Sequence, residues 1–429
     1  MAHENNILIA RHDVRPTTHS FDTQNVPIEI WEHILDLIDD FPTWKICAVT
    51  CRAFLRRSRR NLYRRVCLTN QYNAELLVQV LHNNTDSRVA INALSLVYPS
   101  ATAPTGPVAR FLFPMLPKLQ YLHIRSSKMH TPIDPLLYIA LLPVSQTVTK
   151  VKLDWCTLQD LTDVVRLLNA LPNLKDLALH ELSFRRTTIA QDQGGVGWPV
   201  IRLSSLCLEE SYHPFVDSLV RLLSQTPSTP SLEKLYFCFN TSIPTPLRDA
   251  ADLFKETLHT LALDILRTNG TSVACPSVVS DFSRQRDVPV GPLVLPKMPS
   301  LRHLHVRIEV KDIVHCATLL QGLLPGTIED LSLSFTHHGF IDATPEGIPW
   351  ERIAGIAGLD AVLDHPRFSA LRRLSIRCFM WQPDWKCDLP PSACREHILG
   401  NWLPSVDRSL WVDDFRDVFA FAPEVRYTI

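Results

Sequence analysis

The feature that most constrains this chain is a short phrase that recurs along most of its length. The phrase is an apolar residue, two other residues, an apolar residue, one other residue and a third apolar residue. Eleven copies end at positions 68, 96, 124, 153, 179, 208, 237, 263, 306, 333 and 376, and eight of the ten intervals between them are 26 to 29 residues. A single copy carries no information because 46% of the residues are apolar. The fixed period predicts a repeat protein whose units share one core.

Helical patterns lie between the phrases. Apolar residues recur at three- and four-residue steps in the segments Asn73 to His82, Leu158 to Leu171, Pro214 to Leu223, Leu247 to Thr257 and Lys311 to Leu324. The phrase and its interval resemble long, irregular leucine-rich repeats that lack the asparagine usual after the strand. The resemblance implies an α/β solenoid over residues 66–379, with a curved parallel sheet inside and helices outside.

Alternation along each strand predicts which residues face away from the core. They are the residue before the second apolar position of the phrase and the residues on either side of the third. The charged and aromatic ones are Tyr121, His123, Arg125, Lys150, Lys152, Asp154, Asp176, His180, Glu209, Lys234, Tyr236, Asp264, His303, His305, Arg307, Asp330, Arg373 and Arg377. Mixed charge with aromatic residues favours a bound protein or peptide over a small molecule. The alternative is that they are ordinary solvated polar side chains.

A different pattern precedes the repeats, in Val26 to Phe54. Pro27 and Glu29 suit the first turn of a helix. Apolar residues then follow at helical spacing, with Trp31 and Leu35 widening the stripe beyond a normal core face. We expect Asp39, Asp40 and Pro42 to end this helix and a second to begin near Thr43. Two short helices that are apolar almost all round need a cover, from this chain or from another.

The residues of this hairpin resemble an F-box, from Pro27, Ile30, Ile34 and Leu35 through Pro42 to Val49, Cys51, Arg52 and Phe54. The resemblance covers residues 26–65. It departs from the usual pattern at Val26, where Leu is common, and at 43–46, which lack the acidic residue and Leu often found there. It implies binding to a Skp-type adaptor within a cullin ubiquitin ligase. The adaptor-binding residues are then expected to be Pro27, Ile30, Ile34, Leu35, Leu37, Ile38, Pro42 and Val49.

The segments outside the repeats and the hairpin are interpreted from their composition. Residues 1–25 are polar and are interpreted as a disordered leader, without the apolar run of a signal peptide. Residues 380–429 lose the phrase and are interpreted as a terminal cap, in which 410–412 add an edge strand. Three segments break the period, 183–199, 265–297 and 337–366, and the last contains a predicted helix from Trp350 to Leu363. The arginine-rich stretch Arg52 to Arg65 has two interpretations, the solvated face of a helix or a nucleic-acid patch.

Charge and cysteine content limit the function and the compartment. The 429 residues carry a formal net charge of −1, which favours neither nucleic acid nor an anionic membrane. Eleven scattered cysteines, an odd number, indicate a reducing compartment, the cytoplasm or the nucleus. No run approaches the 18 apolar residues that a membrane helix needs.

No motif for catalysis, metal binding or cofactor binding stands out. His303 and His305 share a strand face and could be two metal ligands, but no third ligand is indicated, so no metal or cofactor is expected. The leading hypothesis is a non-catalytic substrate receptor of a Skp-cullin-F-box ubiquitin ligase with an unknown protein substrate. A repeat scaffold whose hairpin is only a terminal cap is the first alternative. A hydrolase using Asp and His residues on the sheet is a distant third.

Overall fold

The computed structural model describes residues 26–38, 40–98, 105–126, 131–185, 202–209, 219–220, 223, 231–239, 245–265, 295, 297–309, 313–337 and 356–380. The chain divides into two compact units, a helical unit (Met1–Leu62) and a sheet unit (Tyr63–Ile429). The predicted leader, the cap beyond residue 380, most of the Pro214 to Leu223 helix and most of the three period-breaking segments lie outside the described residues.

The described part of the helical unit contains α1 (Ile28–Leu37), α2 (Phe41–Thr50) and most of α3 (Arg52–Arg64). The predicted boundary between the first two helices was wrong by two residues. Asp40 caps α2, because its side chain accepts a hydrogen bond from the Thr43 backbone N–H at 2.9 Å. Pro42 therefore lies in the first turn of α2, where the missing N–H of proline has no cost, instead of in a linker.

Polar contacts within the helical unit tie the three helices together. The Leu35 carbonyl accepts hydrogen bonds from Trp44 Nε1 at 3.1 Å and from Asn61 Nδ2 at 3.0 Å. Arg57 Nε donates to Asp36 Oδ1 at 2.7 Å, and this bond lowers the pKa of the Asp36 carboxyl. Of the α3 arginines, Arg57 thus faces inward. The others in α3 are exposed, as expected for a solvated face: Arg52, Arg56, Arg59, Arg60 and Arg64.

The described part of the sheet unit is built on an eleven-stranded parallel sheet, and each strand contains the second and third apolar positions of one copy of the phrase. The strands, in spatial order, are β1 (Arg65–Leu68), β2 (Ala93–Tyr98), β3 (Tyr121–Ser126), β5 (Lys150–Asp154), β7 (Asp176–His180), β9 (Ser205–Glu209), β10 (Lys234–Phe239), β11 (Thr260–Ile265), β12 (His303–Glu309), β13 (Asp330–His337) and β14 (Arg373–Met380). All pairs have the same register, so equivalent positions of successive phrases form rows across the sheet.

Helices connect the strands and pack apolar residues against the sheet. They are α4 (Gln71–Asn83), α5 (Thr85–Ala90), α6 (Thr105–Leu112), α7 (Leu136–Ala140), α8 (Leu161–Ala170), Thr245–Phe254, Ile313–Gln321 and Ile356–Leu363. The short turns Phe113–Met115, Leu142–Val144 and Pro366–Phe368 are 3₁₀ helices. Fully buried residues of the strands, such as Leu94 and Leu304, join residues of these helices in one hydrophobic cluster. Five predicted helices thus overlap observed ones, and the one predicted from Trp350 to Leu363 is described over Ile356–Leu363.

The helix predicted from Leu158 begins three residues later, at Leu161, because Leu158 belongs to a second sheet. The sequence did not indicate this sheet. Its three described strands are β4 (Thr131–Pro132), β6 (Cys156–Leu158) and β8 (Ser183–Phe184), in that spatial order. β6 and β8 follow directly after β5 and β7 of the large sheet. The chain changes sheets at Trp155 and Glu181, whose φ angles are 57° and 46°.

Two further observations concern membrane-spanning helices and disulfide bonds in the described part of the chain. None of the helices in the described part of the chain is long and apolar enough to span a bilayer. The cysteines whose side chains are described are all free thiols: Cys47, Cys51, Cys67, Cys156, Cys207, Cys238 and Cys316.

Candidate functional site

Helix α1 carries two apolar stripes with different surroundings. Trp31, Leu35 and Ile38 face the helical unit: Leu35 is buried, the other two are half-buried, and the Trp31 ring lies 5.7 Å from that of Phe54. Ile30 and Ile34, one helical turn apart, lie on the outer side with Leu37 and are exposed to solvent. The structure therefore corrects the prediction for Leu35, which is not accessible to a partner.

Further apolar residues of the helical unit are exposed besides the outer stripe. Ile46 and Val49 of α2 are also exposed, as are Val26 and Ile28 before and at the start of α1. We call these seven residues the exposed apolar surface: Val26, Ile28, Ile30, Ile34, Leu37, Ile46 and Val49. Pro27 and Pro42 are exposed as well, so six of the eight predicted adaptor-binding residues are accessible and Ile38 is partly so. Several exposed apolar side chains on two short helices make this unit the candidate site of protein association.

The second candidate site is the sheet face that carries the polar positions of the phrase. All eighteen residues predicted to face away from the core lie on it, in three rows set by the strand register. The first row holds Tyr121, Lys150, Asp176, Lys234, His303, Asp330 and Arg373, the second holds His123, Lys152, Tyr236 and His305, and the third holds Arg125, Asp154, His180, Glu209, Asp264, Arg307 and Arg377.

Position on this face does not guarantee exposure. Lys150, Lys234 and Arg373 are exposed, whereas Asp154, Tyr236 and Asp264 are buried. The prediction that these last three are displayed to a partner was wrong. Tyr236 Oη donates to Asp264 Oδ2 at 3.3 Å, and Arg307 Nη1 lies 3.3 Å from the same oxygen. The other predicted residues are half-buried, except Arg377, whose side chain lies outside the described part of the structure.

Asp154 is the centre of an ionic cluster on strands β3, β5, β7 and β9. His180 Nδ1 lies 2.5 Å from its Oδ1, and His123 Nε2 lies 3.4 Å from its Oδ2. Arg125 Nε and Lys152 Nζ approach the same Oδ2 at 3.6 and 3.9 Å. Burial alone would raise the pKa of this carboxyl, but the hydrogen bonds from the two histidines outweigh it and hold the pKa well below its usual range.

His180 is surrounded by carboxylates. Its Nε2 lies 3.4 Å from Glu209 Oε2 and 3.8 Å from Glu181 Oε1. Burial opposes protonation of the imidazole, but the hydrogen bonds to Asp154 and Glu209 prevail and raise the pKa of His180 to about 10. His180 is therefore a positive charge at neutral pH, and neither of its nitrogens faces a hydroxyl or a thiol in these contacts.

Two residues of this site were missed by the sequence reasoning, Trp155 and Glu181. Both lie just after a strand in the left-handed region of φ, which non-glycine residues rarely adopt, and nothing in the local sequence indicates this conformation. The Arg125 guanidinium lies 5.0 Å from the centroid of the Trp155 ring, in a cation–π contact.

His303 and His305, named from the sequence as two possible metal ligands, both lie on β12. His303 Nδ1 lies 2.8 Å from Asp330 Oδ2, so this histidine forms an ion pair when protonated. Among the described residues, no group of three histidine, cysteine or acidic residues is arranged to hold a metal ion.

Residues 23–98 match the family model of the COS11 F-box domain. The match includes the three helices of the helical unit and continues through β1, α4, α5 and β2 of the sheet unit. It thus extends 33 residues beyond the predicted limit at residue 65. F-box domains typically bind Skp-type adaptors within cullin ubiquitin ligases, and F-box proteins are generally non-catalytic substrate receptors. No curated protein matches the chain.

Proposed function

We propose that the chain is the substrate-recognition subunit of a Skp-cullin-F-box ubiquitin ligase. The observation that carries the proposal is an F-box domain whose first helices leave apolar side chains exposed. The exposed apolar surface binds the adaptor, and the adaptor connects the chain to the cullin scaffold. The compartment is the cytoplasm or the nucleus, which the free thiols of the described cysteines support.

The F-box resemblance and the contacts of α1 support a specific mode of adaptor binding. The outer stripe of Ile30, Ile34 and Leu37 supplies the main anchors, joined by Pro27, Pro42 and Val49. Ile38 contributes at the edge of the contact. Leu35 acts indirectly, since its side chain fills the core of the helical unit and its carbonyl holds Trp44 and Asn61 in place.

The sheet unit holds the protein to be ubiquitinated. Its phrase, its period and its parallel sheet support a leucine-rich-repeat-like solenoid, whose inner face is the polar face of the sheet. The chain supplies no catalytic group in this role. It accelerates transfer by holding a lysine of the target near the thioester on a separate conjugating enzyme, so the rate gain comes from proximity.

Coexpression of the full chain with a Skp-type adaptor and a cullin tests the proposal. We expect the three proteins to elute together in size-exclusion chromatography in equal amounts. Recovery of the chain as a soluble, monodisperse protein that binds neither the adaptor nor the cullin would contradict the ligase role and support a repeat scaffold instead. Mass spectrometry of proteins captured by the full complex then identifies target proteins.

A further inference from the structure

The carboxyl ends of β5 and β7 share an unusual backbone feature. Trp155 and Glu181 follow these neighbouring strands, and each is a non-glycine residue with a positive φ. Their backbones are held alike: Trp155 N–H donates to the His180 carbonyl at 3.0 Å, and Glu181 N–H donates to the Glu209 carbonyl at 2.9 Å. Glycine would adopt this conformation without the cost of about 1 kcal/mol that other residues incur. Such strain is common where side chains are needed at a functional site.

The side chains at these two turns take part in the ionic cluster. Trp155 contacts the Arg125 guanidinium, and Glu181 is 3.8 Å from His180. Arg125, Asp154, His180 and Glu209 are direct neighbours in the third row of the polar face. Adjacent strands are about 4.8 Å apart, so this row brings four charged side chains onto a short stretch of surface.

The Asp154 carboxylate at the centre of the cluster is less exposed than the two cations that approach it, while the Glu181 and Glu209 side chains are 25% and 33% exposed. The side chain of Asp154 is 7% exposed, whereas those of Arg125 and Lys152 are 44% and 26% exposed. The carboxylate thus lies beneath the two cations. It holds them in place without presenting a negative charge of its own to solvent, and the Trp155 ring fixes Arg125 from another side. Cations that are already positioned lose little entropy when they bind an anion.

We propose that Arg125 and Lys152, positioned by Asp154 and Trp155, form a subsite that binds a carboxylate side chain of a target protein. This inference rests on the proposed role of the polar face in target recognition and gives the chemistry of one part of it. A singly charged aspartate or glutamate fits better than a phosphorylated residue. Glu181 and Glu209 lie on the other side of His180, and their negative charges oppose the approach of a dianion.

Selection of a random 12-residue peptide library on the full chain bound to its adaptor tests the subsite. We expect peptides selected by the wild-type complex to be enriched in aspartate or glutamate at one position. The variant R125E/K152E should reverse that preference toward lysine or arginine. Its matched control is K118E/K255E, which makes the same change in net charge at two exposed lysines outside the strands. The control should select the same acidic peptides as the wild type.

Individual peptides then measure the effect. Replacing the selected acidic residue by glutamine should weaken binding about tenfold, the usual loss for a hydrogen bond to a charged group. Replacing it by phosphoserine should not strengthen binding, and a tighter phosphopeptide would overturn the carboxylate assignment. Selection without an acidic preference, or no selection at all, would overturn the subsite itself. Adaptor binding by R125E/K152E is measured in parallel, so a failure of the subsite is distinguishable from a failure of the F-box role.

Discussion

Replacement of Ile30 and Leu37 by aspartate should strongly weaken adaptor binding without unfolding the chain. Both side chains lie on the outer stripe of α1, and 51% and 73% of their surfaces are exposed. Covering a fully exposed side chain of this type contributes about 1.5–3 kcal/mol, so these exposed fractions give about 2–4 kcal/mol for the pair, or roughly a 30- to 900-fold change in affinity. A carboxylate at each position adds a desolvation cost, so the loss is at least this large.

The matched control for this variant is F111D/L142D. Phe111 and Leu142 are 70% and 60% exposed, so the substitutions have the same chemistry and similar accessibility, but they lie outside the F-box match. Adaptor affinity is measured by biolayer interferometry with the adaptor immobilised. Thermal melting of the free chain should be nearly unchanged in both variants, since neither pair is buried. Equal affinity of wild type and I30D/L37D would refute the assignment of the outer stripe, and an equal loss in F111D/L142D would show that the effect is not specific.

Three further predictions concern single residues. Leu35→Ala, at a side chain only 3% exposed, should destabilise the helical unit by about 2–4 kcal/mol. Amide hydrogen exchange in α1 to α3 measures this loss. Unchanged protection of these amides from exchange would contradict the burial of Leu35. His180 should remain protonated well above neutral pH because its pKa is raised to about 10. The stabilisation by protonated His180 is complete below the pKa of the unfolded state and is lost as the pH rises toward 10. The free energy of unfolding, measured by urea titration, should then fall by at most about 1.4 kcal/mol per pH unit, and H180Q should remove this dependence. H259Q, at the exposed His259, is the control variant. Glu181→Gly should relieve backbone strain of about 1 kcal/mol while losing the contact with His180. The variant should therefore unfold at a urea concentration equal to or higher than that of the wild type. A clearly lower urea midpoint would contradict the strain argument.

The large sheet was predictable because its determinant is local and repeated. Apolar residues two apart, as in Leu94 and Leu96, lie on the same face of a strand. The constant interval then places Leu122 and Ile124 in register beside them, as observed. One copy of the phrase does not identify a strand, but eleven copies at a nearly constant interval do.

The errors arise where a residue's surroundings come from elsewhere in the chain. Ile34 and Leu35 are adjacent and both apolar, so periodicity cannot say which one faces the core. The contacts of Trp44 and Asn61 with the Leu35 carbonyl belong to the arrangement that buries the Leu35 side chain. Likewise, the alternation rule puts Asp154 and Tyr236 on the polar face, but their burial depends on neighbouring strands and not on the phrase itself.

The contacts of His180 bear on whether an Asp-His pair on the sheet can act as a general base. An Asp-His pair can act as a general base only if the imidazole is neutral at the working pH, so that it can accept a proton from a nucleophile. His180 contacts Asp154 through Nδ1 and Glu209 through Nε2, so both nitrogens face carboxylates and the ring carries a proton up to a pH of about 10. A general base is thus converted into a fixed charge. The contacts of His180 with two carboxylates therefore disfavour this histidine as the general base of a hydrolase.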